Sequence, residues 1–537
     1  MKNEYLKYFP FQEIRPQQEE ALTFAIKEFK AGKRFVCLEL PTGVGKSGIA
    51  ITLGKYFQAH MQTAGIRTGT YIITPQKILQ AQYENDFADI NNVSAKQNYI
   101  CVQRPGNVSC QIGQWMNQIA LENSQKAAYN ENCPYKKAMK NFKEGILSLT
   151  NVAFILNHIM YTDEIVKRQL LIVDECHMLE PALVEFVAMD FDGNLIEEEL
   201  GIKWSKITER SSIKIFTDWV VDVYYPKVTE LTETLKRKIK TYAMKHGSNF
   251  DKSHIRLLNL YSKYDTIGCQ IKRYLDHFDE KDWVMSVDEF KQTVKIQPIY
   301  ASKYAESHLF KIADKVLLMS GTILDKKAFC TNLGIAPSEA AFLSLGSPFP
   351  KENRPIISMN VGLMSYSNID ATLPKLTLAV REILNSHSKD KGIIHCHTYK
   401  IAEYLKNSVG NSRLLIHNSQ TRSQILKQHI DSEYPTVILS PSFTEGIDLY
   451  DELSRFQIIC KVPFPFLGDK YVKTKMERIP SWYGWETVKT IVQASGRSIR
   501  SVDDHAYTYI LDGSFEHFFR NNKKLFPKWW VEALEFL

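Results

Sequence analysis

The feature that most constrains the fold of this chain is a short glycine-rich segment between an apolar run and a helix start. Residues 34–38 read as a buried strand, and residues 47–51 read as the beginning of a helix. Glycines between such elements let successive backbone N–H groups face a phosphate at the helix N-terminus. The segment consists of Pro41, Thr42, Gly43, Val44, Gly45, Lys46 and Ser47. This order of elements predicts a phosphate-binding loop in a parallel α/β sheet.

Two side chains of this loop have the chemistry that a nucleotide needs. Lys46 is expected to reach the β- and γ-phosphates, and Ser47 is expected to bind the metal ion. The segment departs from the general loop pattern at Leu40, where Gly or Ala often stands. The alternative interpretation is a chance glycine-lysine turn without a ligand.

Far along the chain, two adjacent carboxylates follow a second apolar strand. Residues 170–173 run into Asp174 and Glu175, and then into Cys176 and His177. Ligands of open α/β sheets bind at the carboxyl ends of the strands, so we expect Asp174 to hold Mg²⁺ and Glu175 to activate the attacking water. The alternative is that both acids only cap the next helix. Together with the loop, this pair predicts an ATP hydrolase.

Composition agrees with a large enzyme of several domains. The chain has 537 residues, more than one core usually supports, with 44% hydrophobic and 24% charged residues. The 67 Lys and Arg against 60 Asp and Glu give a net charge of +7, which allows an anionic partner without requiring one. No apolar run approaches the roughly 18 residues of a membrane span, and the first residues lack a signal-peptide core. We therefore expect a cytoplasmic protein without a membrane partner.

Strand-like and helical patterns alternate and predict two sheets. The first is expected to use strands at 34–38, 71–75, 151–156, 170–174 and 316–319, and the second strands at 392–395, 436–439, 456–460 and 507–511. A polar insertion without strands is expected at 91–147, and a long helical stretch at 195–300. The basic run at 235–240 reads either as a solvated helix face, which is favoured, or as a nucleic-acid contact.

Six segments in order resemble the motifs of superfamily 2 helicases of the DinG/XPD branch. They are residues 15–18, the loop ending at Ser47, and residues 174–177, 320–322, 444–448 and 493–500. The Ser-Pro-Phe-Pro segment at 347–350 is similar to a segment typical of that branch. The resemblance implies an α/β fold with two RecA-like, doubly wound parallel-sheet motor domains. The first motor domain would carry a small cysteine-containing insertion and a helical, arch-like insertion.

The resemblance also implies domain boundaries. Motor domain 1 would comprise residues 1–90, 150–193 and 301–345, and motor domain 2 residues 346–537. The cysteine-containing insertion would occupy residues 91–149, and the arch-like insertion residues 194–300.

Several roles follow from the resemblance alone. Gln18 would hydrogen-bond the adenine beside Arg15, and Arg497 and Arg500 would act as arginine fingers from the second domain. In the segment 174–177, His177 would be a catalytic residue together with Asp174 and Glu175. Other residues expected to line the ATP cleft are Gly446, Asp448 and Gln493.

The cysteine insertion departs from the family pattern. Members of the branch hold an iron-sulfur cluster with four cysteine thiolates. Here only Cys101, Cys110 and Cys133 lie in that region, and no fourth cysteine occurs between residues 90 and 175. Two interpretations stay open: a cluster with a non-cysteine ligand such as Glu131, or a degenerate domain without metal.

The function implied is that of an ATP-dependent DNA helicase. It would move 5′ to 3′ on single-stranded DNA as a monomer and unwind forked or overhang duplexes, with RNA as a further substrate option. The alternative is a nucleic-acid-stimulated ATPase that remodels protein–DNA or RNA complexes without separating strands. A non-catalytic binding protein is disfavoured because Lys46, Asp174, Glu175, Arg497 and Arg500 are all present.

Overall fold

The computed structural model describes residues 4–537 apart from 62, 76, 103–107, 123–131, 163, 205–206, 209, 247–250, 419, 442–448, 450, 497 and 500–503. Within these residues, strands form two seven-stranded parallel sheets and one three-stranded antiparallel sheet. The strands are β1 (Phe35–Glu39), β2 (Arg67–Thr74), β3 (Asn91–Asn92), β4 (Leu147–Asn151), β5 (Arg168–Asp174), β6 (Met189–Asp192), β7 (Trp283–Asp288), β8 (Thr293–Pro298), β9 (Ala313–Ser320), β10 (Ala340–Ser344), β11 (Ile356–Ser358), β12 (Gly392–His395), β13 (Leu414–Ile416), β14 (Val437–Ser440), β15 (Phe456–Ile459), β16 (Tyr507–Ile510) and β17 (Leu534–Phe536).

Helices connect these strands and cover the sheets. They are α1 (Pro16–Lys30), α2 (Lys46–His60), α3 (Lys77–Asp86), α4 (Cys110–Glu122), α5 (Pro134–Glu144), α6 (Val152–Tyr161), α7 (Leu179–Val187), α8 (Gly193–Leu200), α9 (Ile213–Trp219), α10 (Tyr225–His246), α11 (Lys252–His277), α12 (Ser302–His308), α13 (Lys326–Asn332), α14 (Ile369–Ser386), α15 (Tyr399–Val409), α16 (Arg422–Asp431), α17 (Lys470–Arg478), α18 (Pro480–Ser495), α19 (Phe515–Asn522) and α20 (Lys528–Val531).

The first sheet has the strand order β10-β1-β9-β5-β2-β4-β3. Its central strands are apolar on both faces because both faces are covered: Phe35 and Cys37 belong to one core, and Val36 and Leu38 belong to the other. Strand β9 lies between β1 and β5. The segments that follow β1, β9 and β5 therefore meet at one edge of the sheet.

The second sheet has the strand order β13-β14-β12-β15-β16-β11-β17, and its pairs are parallel. Helix α18 packs on it through Val488, Ile491 and Val492, which join a core with Ile459 and Trp530. The carboxyl end of α18 is thereby fixed to the second sheet. This architecture confirms the prediction of two doubly wound parallel-sheet units.

Two insertions in the first unit pack against each other. Helices α10 and α11 form an antiparallel hairpin, and α4 contacts it where Gln111 Nε2 donates to Ser262 Oγ at 3.0 Å. The rings of Trp115 and Tyr261 meet edge to face at a centroid distance of 4.9 Å. Strands β6, β8 and β7 form the antiparallel sheet beside this hairpin.

Some elements differ from the sequence prediction. The strand predicted at 151–156 is wrong, since β4 ends at Asn151 and α6 follows. The Asn151 side chain accepts a hydrogen bond from the Phe154 N–H at 2.8 Å and caps this helix. The stretch at 195–300 also ends in β7 and β8 rather than in helix. The edge strands β3, β10, β13 and β17 were not predicted, and neither was the short strand β11 between β16 and β17.

Within the described residues, no helix is long and apolar enough to cross a membrane.

Candidate active site between the two sheets

The glycine-rich loop folds around the first turn of α2. Gly43 and Gly45 have φ angles of +85° and +84°, in the left-handed region that favours glycine. A Cβ atom on Gly43 would lie 2.2 Å from the Phe349 ring, and one on Gly45 would lie 2.4 Å from Gln18 Nε2. These contacts leave no room for a side chain, so both glycines are required by the packing as well as by the backbone.

The first turn of α1 fastens this loop. The Arg15 guanidinium donates to the Gly43 carbonyl, and Gln18 Nε2 donates to the Gly45 carbonyl at 3.3 Å. Gln18 Oε1 accepts from the Arg15 N–H at 2.9 Å, and the Gln18 side chain is buried. Arg15 and Gln18 therefore hold the loop backbone in shape, while the expected contact with adenine stays a prediction.

The carboxylates at the end of β5 lie against the loop. Lys46 Nζ is 3.1 Å from Glu175 Oε1. His177 Nδ1 is 3.2 Å from Glu175 Oε2 and 2.7 Å from Ser320 Oγ. The Tyr83 hydroxyl donates to Asp174 Oδ2 at 3.0 Å. The structure thus brings together the lysine and the acids that the sequence separates by more than a hundred residues.

The two neighbouring carboxylates have opposite shifts of their pKa values. Burial and the adjacent charge of Glu175 raise the pKa of Asp174 to about 6, against the opposing effect of Lys46. Burial alone would also raise the pKa of Glu175, but the Lys46 charge and the hydrogen bond from His177 hold this pKa well below its usual range. Glu175 is therefore a carboxylate at neutral pH.

A chain of hydrogen bonds leads from this acidic site to the second sheet. Ser320 Oγ, at the end of β9, accepts from the Thr322 N–H at 3.1 Å. Thr322 Oγ1 in turn accepts from Gln493 Nε2 of α18 at 3.0 Å. Gln493 lies close to the carboxyl end of its helix, so the two sheets are joined directly beside Glu175 and His177.

The loop, the acids and α18 surround one cavity of about 270 Å³. Its lining includes Pro41, Thr42, Gly43, Gly45, Lys46, Ser47, Tyr83, Asp174, Glu175, His177, Thr322, Phe349, Gln493, Ser495 and Gly496. The walls are close, since a Cβ atom on Gly496 would lie 3.6 Å from Thr42 Oγ1. Val44 of the loop is instead fully buried in the core beneath it.

Two family models match the chain, the helicase C-terminal domain over residues 383–533 and the type III restriction enzyme res subunit over residues 11–214. A probable ATP-dependent helicase of Methanocaldococcus jannaschii is 21% identical, with 94% of this chain and 92% of that protein covered. The ATP-dependent DNA helicase DinG of Photobacterium profundum is 26% identical over 41% of this chain and 34% of its own length. A solved XPD helicase has the same fold, with a TM-score of 0.65 and 14% identity over 98% of this chain and 100% of that one.

The chain is a DinG/XPD-like superfamily 2 helicase. The resemblance noted from the ordered motifs is thereby confirmed.

Four predicted site residues of this helicase lie outside the described residues. They are Gly446, Asp448, Arg497 and Arg500. Their expected positions in the ATP cleft stay predictions from the sequence.

The three cysteines of the helicase's insertion lie in one region, around the start of α4. Cys110 Sγ is 4.0 Å from Cys133 Sγ, and a Cβ atom on Gly113 would lie 2.4 Å from Cys101 Sγ. Burial and the neighbouring Cys133 raise the pKa of the Cys110 thiol to about 11. Among the residues that the structure describes, no group of three or more His, Cys, Asp or Glu side chains could hold a metal ion. The described donors therefore do not support an iron-sulfur cluster, and Glu131 lies outside the described part.

Sequence reasoning missed two residues at the active site of this helicase. Tyr83, on α3, reads as an apolar helix position, and nothing near it in sequence indicates a carboxylate partner. In the sequence, Phe349 is only part of the 347–350 segment typical of the branch, whereas in the structure its ring packs against Gly43 and Ile499. Both depend on contacts between segments far apart in the chain.

Proposed function

We propose that this helicase hydrolyses ATP in the cavity between its two sheets and uses the energy to move along single-stranded DNA and unwind duplexes. The observation that carries this proposal is the 3.1 Å contact of Lys46 Nζ with Glu175 Oε1, beside the Thr322–Gln493 link to the second sheet. A phosphate-binding loop, a carboxylate and the end of α18 from the second sheet thus lie in one place.

The loop is proposed to bind the triphosphate. Backbone N–H groups at the start of α2 and the Lys46 ammonium supply positive charge to the phosphates. A triphosphate there competes with Glu175 for Lys46, because both present negatively charged oxygens to the same ammonium. Glu175 is then released to bind a water molecule. In this proposal, nucleotide binding frees Glu175 from Lys46 so that it can act as the general base.

Mg²⁺ is proposed to bind at Ser47 and Asp174. Both side chains line the cavity, and hydroxyl and carboxylate oxygens are ligands that Mg²⁺ prefers. Bound Mg²⁺ would neutralise part of the negative charge on the β- and γ-phosphates. The charge of the ion also favours the ionised form of Asp174, which burial otherwise disfavours.

Glu175 is proposed to orient and deprotonate the attacking water. Its carboxylate is ionised, and His177 Nδ1 lies between it and Ser320 at hydrogen-bond distance from both. A change in the contacts of this carboxylate would shift His177 and, through it, Ser320. The hydrogen bonds of Thr322 to Ser320 and to Gln493 would pass this movement to α18. Hydrolysis and movement of the second sheet are coupled in this way.

The second sheet is proposed to complete the site when the cleft closes. Arg497 and Arg500 would stabilise the transferred phosphoryl group, with Gln493, Gly446 and Asp448 beside them. Arg15 and Gln18 would bind the adenine. The corresponding division of the chain is that of the sequence prediction, with motor domain 2 formed by residues 346–537.

The substrate is proposed to be DNA, bound through its backbone, as the name of the DinG relative indicates for that protein. We propose 5′ to 3′ movement, forked or overhang duplexes as preferred substrates, and a monomeric enzyme. The cysteines enter no step, because the described residues include no group of donors that could hold a metal ion.

Glu175→Gln tests the proposed chemistry. The variant should bind ATP with near-normal affinity and hydrolyse it about a thousandfold more slowly, since only the base is lost. ATP turnover with and without single-stranded DNA is measured, together with nucleotide affinity. Near-normal turnover by the variant would contradict the assignment.

Strand separation is measured on a duplex with a 5′ overhang. Wild-type protein that hydrolyses ATP in response to DNA but separates no strands would instead support the alternative of a remodelling translocase.

A further inference from the structure

The α10–α11 hairpin has an uneven distribution of charge along its length. The end next to its loop, residues 235–257, contains seven Lys or Arg residues and one acidic residue, Asp251. The remainder of the two helices contains four basic and four acidic residues. This one segment has a net charge of +6, which is nearly as large as the net charge of the whole protein, +7. A merely solvated helix face would be expected to mix both signs, as the base of the hairpin does.

Five of the seven basic side chains of this segment are exposed, and Lys236 and Lys240 are half-buried. Leu235 and Ile239 of α10 and Leu258 of α11 are buried, so they form the contact between the helices. Arg237 and Lys238 lie on the exposed side. The other basic residues of this segment are Lys236, Lys240, Lys245, Lys252 and Arg256.

The single acid of this segment is engaged locally. One Asp251 carboxylate oxygen accepts from the His254 N–H at 2.9 Å and caps α11, and the other accepts from the Tyr242 hydroxyl. Asp251 therefore holds the turn end of the hairpin together, and the surrounding lysines and arginines form a positive surface, which we call the basic tip.

The basic tip stands away from the motor. At the other end of the hairpin, the Arg273 guanidinium lies 4.0 Å from the centre of the Phe186 ring of α7. Arg273 is about 30 Å along α11 from Lys252 at 1.5 Å per residue. The hairpin thus fixes its neutral base to the first sheet and presents its charged end to the solvent, outside the cavity between the sheets.

We infer that the basic tip binds the phosphate backbone of the duplex arm of the DNA substrate. This inference rests on the proposed function. From Leu235 to His246 the tip extends about 18 Å, which matches a length of duplex that carries roughly ten phosphate charges. Such contacts position a duplex without reading its sequence.

The aromatic chemistry of the tip favours a duplex over a single strand. Sites for single strands combine positive charge with aromatic rings on which bases stack. The Tyr242 ring instead packs on His254 at a centroid distance of 4.9 Å, and its hydroxyl is bonded to Asp251. Among the described residues of the tip, charge is therefore available to phosphates and the Tyr242 ring is engaged internally, while Phe250 lies outside those residues.

The test compares two pairs of charge-neutralising substitutions in the full-length protein. Arg237→Gln with Lys238→Gln removes two exposed charges of the tip. Lys523→Gln with Lys524→Gln removes two exposed charges beside α19 and serves as the matched control. Affinity for a blunt DNA duplex and for oligothymidine is measured by fluorescence anisotropy across a series of salt concentrations.

The tip variant should bind the duplex roughly tenfold or more weakly, with a salt dependence less steep by up to about 1.8 in log–log slope, since each phosphate contact contributes about 0.9. Its affinity for oligothymidine should fall much less, and the control should retain wild-type affinity for both. Unchanged duplex affinity in the tip variant would overturn the inference, as would an equal loss in the control. Stimulation of wild-type ATP hydrolysis by oligothymidine tests the proposed function separately, so failure of one can be told from failure of the other.

Discussion

At the residue scale, the acidic site depends on a tyrosine outside the motifs. The Tyr83 hydroxyl donates to one Asp174 oxygen, and the Glu175 N–H donates to the other at 3.0 Å. Both Tyr83 and Asp174 are buried, so few other groups can orient this carboxylate. Because Tyr83 belongs to α3, this helix positions the proposed Mg²⁺ ligand.

Tyr83→Phe should therefore weaken Mg²⁺ binding while the protein stays folded. The substitution keeps the ring and removes only the hydrogen bond, which for an ionised acceptor contributes about 1.5–3 kcal/mol. We expect the Mg²⁺ concentration for half-maximal ATP hydrolysis to rise several-fold. ATP turnover is measured against Mg²⁺ concentration at constant ATP.

Tyr71→Phe provides the matched control. Tyr71 is equally buried and donates to the Val166 carbonyl at 3.0 Å, on a different part of the first sheet. This variant should lose stability without a change in the Mg²⁺ requirement. If both variants shift that requirement equally, Tyr83 acts on the fold and not on Asp174.

At the scale of elements, a buried ion pair joins helices of the two units. Glu180 of α7 and Lys475 of α17 lie 2.5 Å apart, and their side chains are 8% and 5% exposed. Asn332 Nδ2 donates to the second Glu180 oxygen at 3.2 Å, and Lys475 donates to the Tyr471 hydroxyl at 3.1 Å. Glu180 follows His177 by three residues, so this contact connects the acidic site to the helix just before α18.

Lys475→Met should destabilise the protein by about 3–5 kcal/mol, because it leaves the Glu180 carboxylate buried without its partner. The double variant with Glu180→Gln should recover a large part of this loss, since the unpaired charge is removed. The free energy of unfolding is measured for each single variant and for the pair in a double-mutant cycle.

An exposed pair gives the comparison. Lys400 Nζ lies 3.0 Å from Asp370 Oδ1, with side chains 65% and 81% exposed. Lys400→Met should change the free energy of unfolding by about 1 kcal/mol or less. A similarly small effect of Lys475→Met would show that the α7–α17 contact adds nothing to stability.

At the scale of the whole molecule, each unit contains a buried neutral histidine. Burial, together with the neighbouring His277, lowers the pKa of His308 to about 4. Burial, opposed by a hydrogen bond to the Leu453 carbonyl, lowers the pKa of His429 to about 4 as well. The unfolded chain binds these protons below an ordinary pKa of about 6.5, whereas the folded protein does not.

The contribution of these two histidines to the free energy of unfolding should therefore be complete above about pH 6.5 and be lost as the pH decreases towards 4. Each histidine contributes about 3 kcal/mol to this loss, since its pKa is about 4 in the folded protein and about 6.5 in the unfolded chain. In His429→Gln the contribution of the second unit should disappear, and the unfolding temperature should depend less on pH between 6.5 and 4. Parallel pH profiles of wild type and variant would exclude this role of His429.

Several features were predictable from the sequence alone because they are local. The strand, turn and helix around Lys46 follow from apolar runs and glycines within twenty residues, and so does the acidic end of β5. The ordered motifs add the family and the two-sheet fold. Short apolar runs are ambiguous without context, and the strand predicted at 151–156 was wrong because Asn151 caps a helix there.

The tertiary structure decided what depends on strand order and on packing between distant segments. Placing β9 between β1 and β5 sets Ser320 against His177, and no local pattern contains that order. The same holds for Tyr83 beside Asp174, for Phe349 on Gly43 and for Lys475 against Glu180. The sequence supplied the chemical groups, and long-range packing decided which of them meet, because strand pairing and burial are properties of the whole chain.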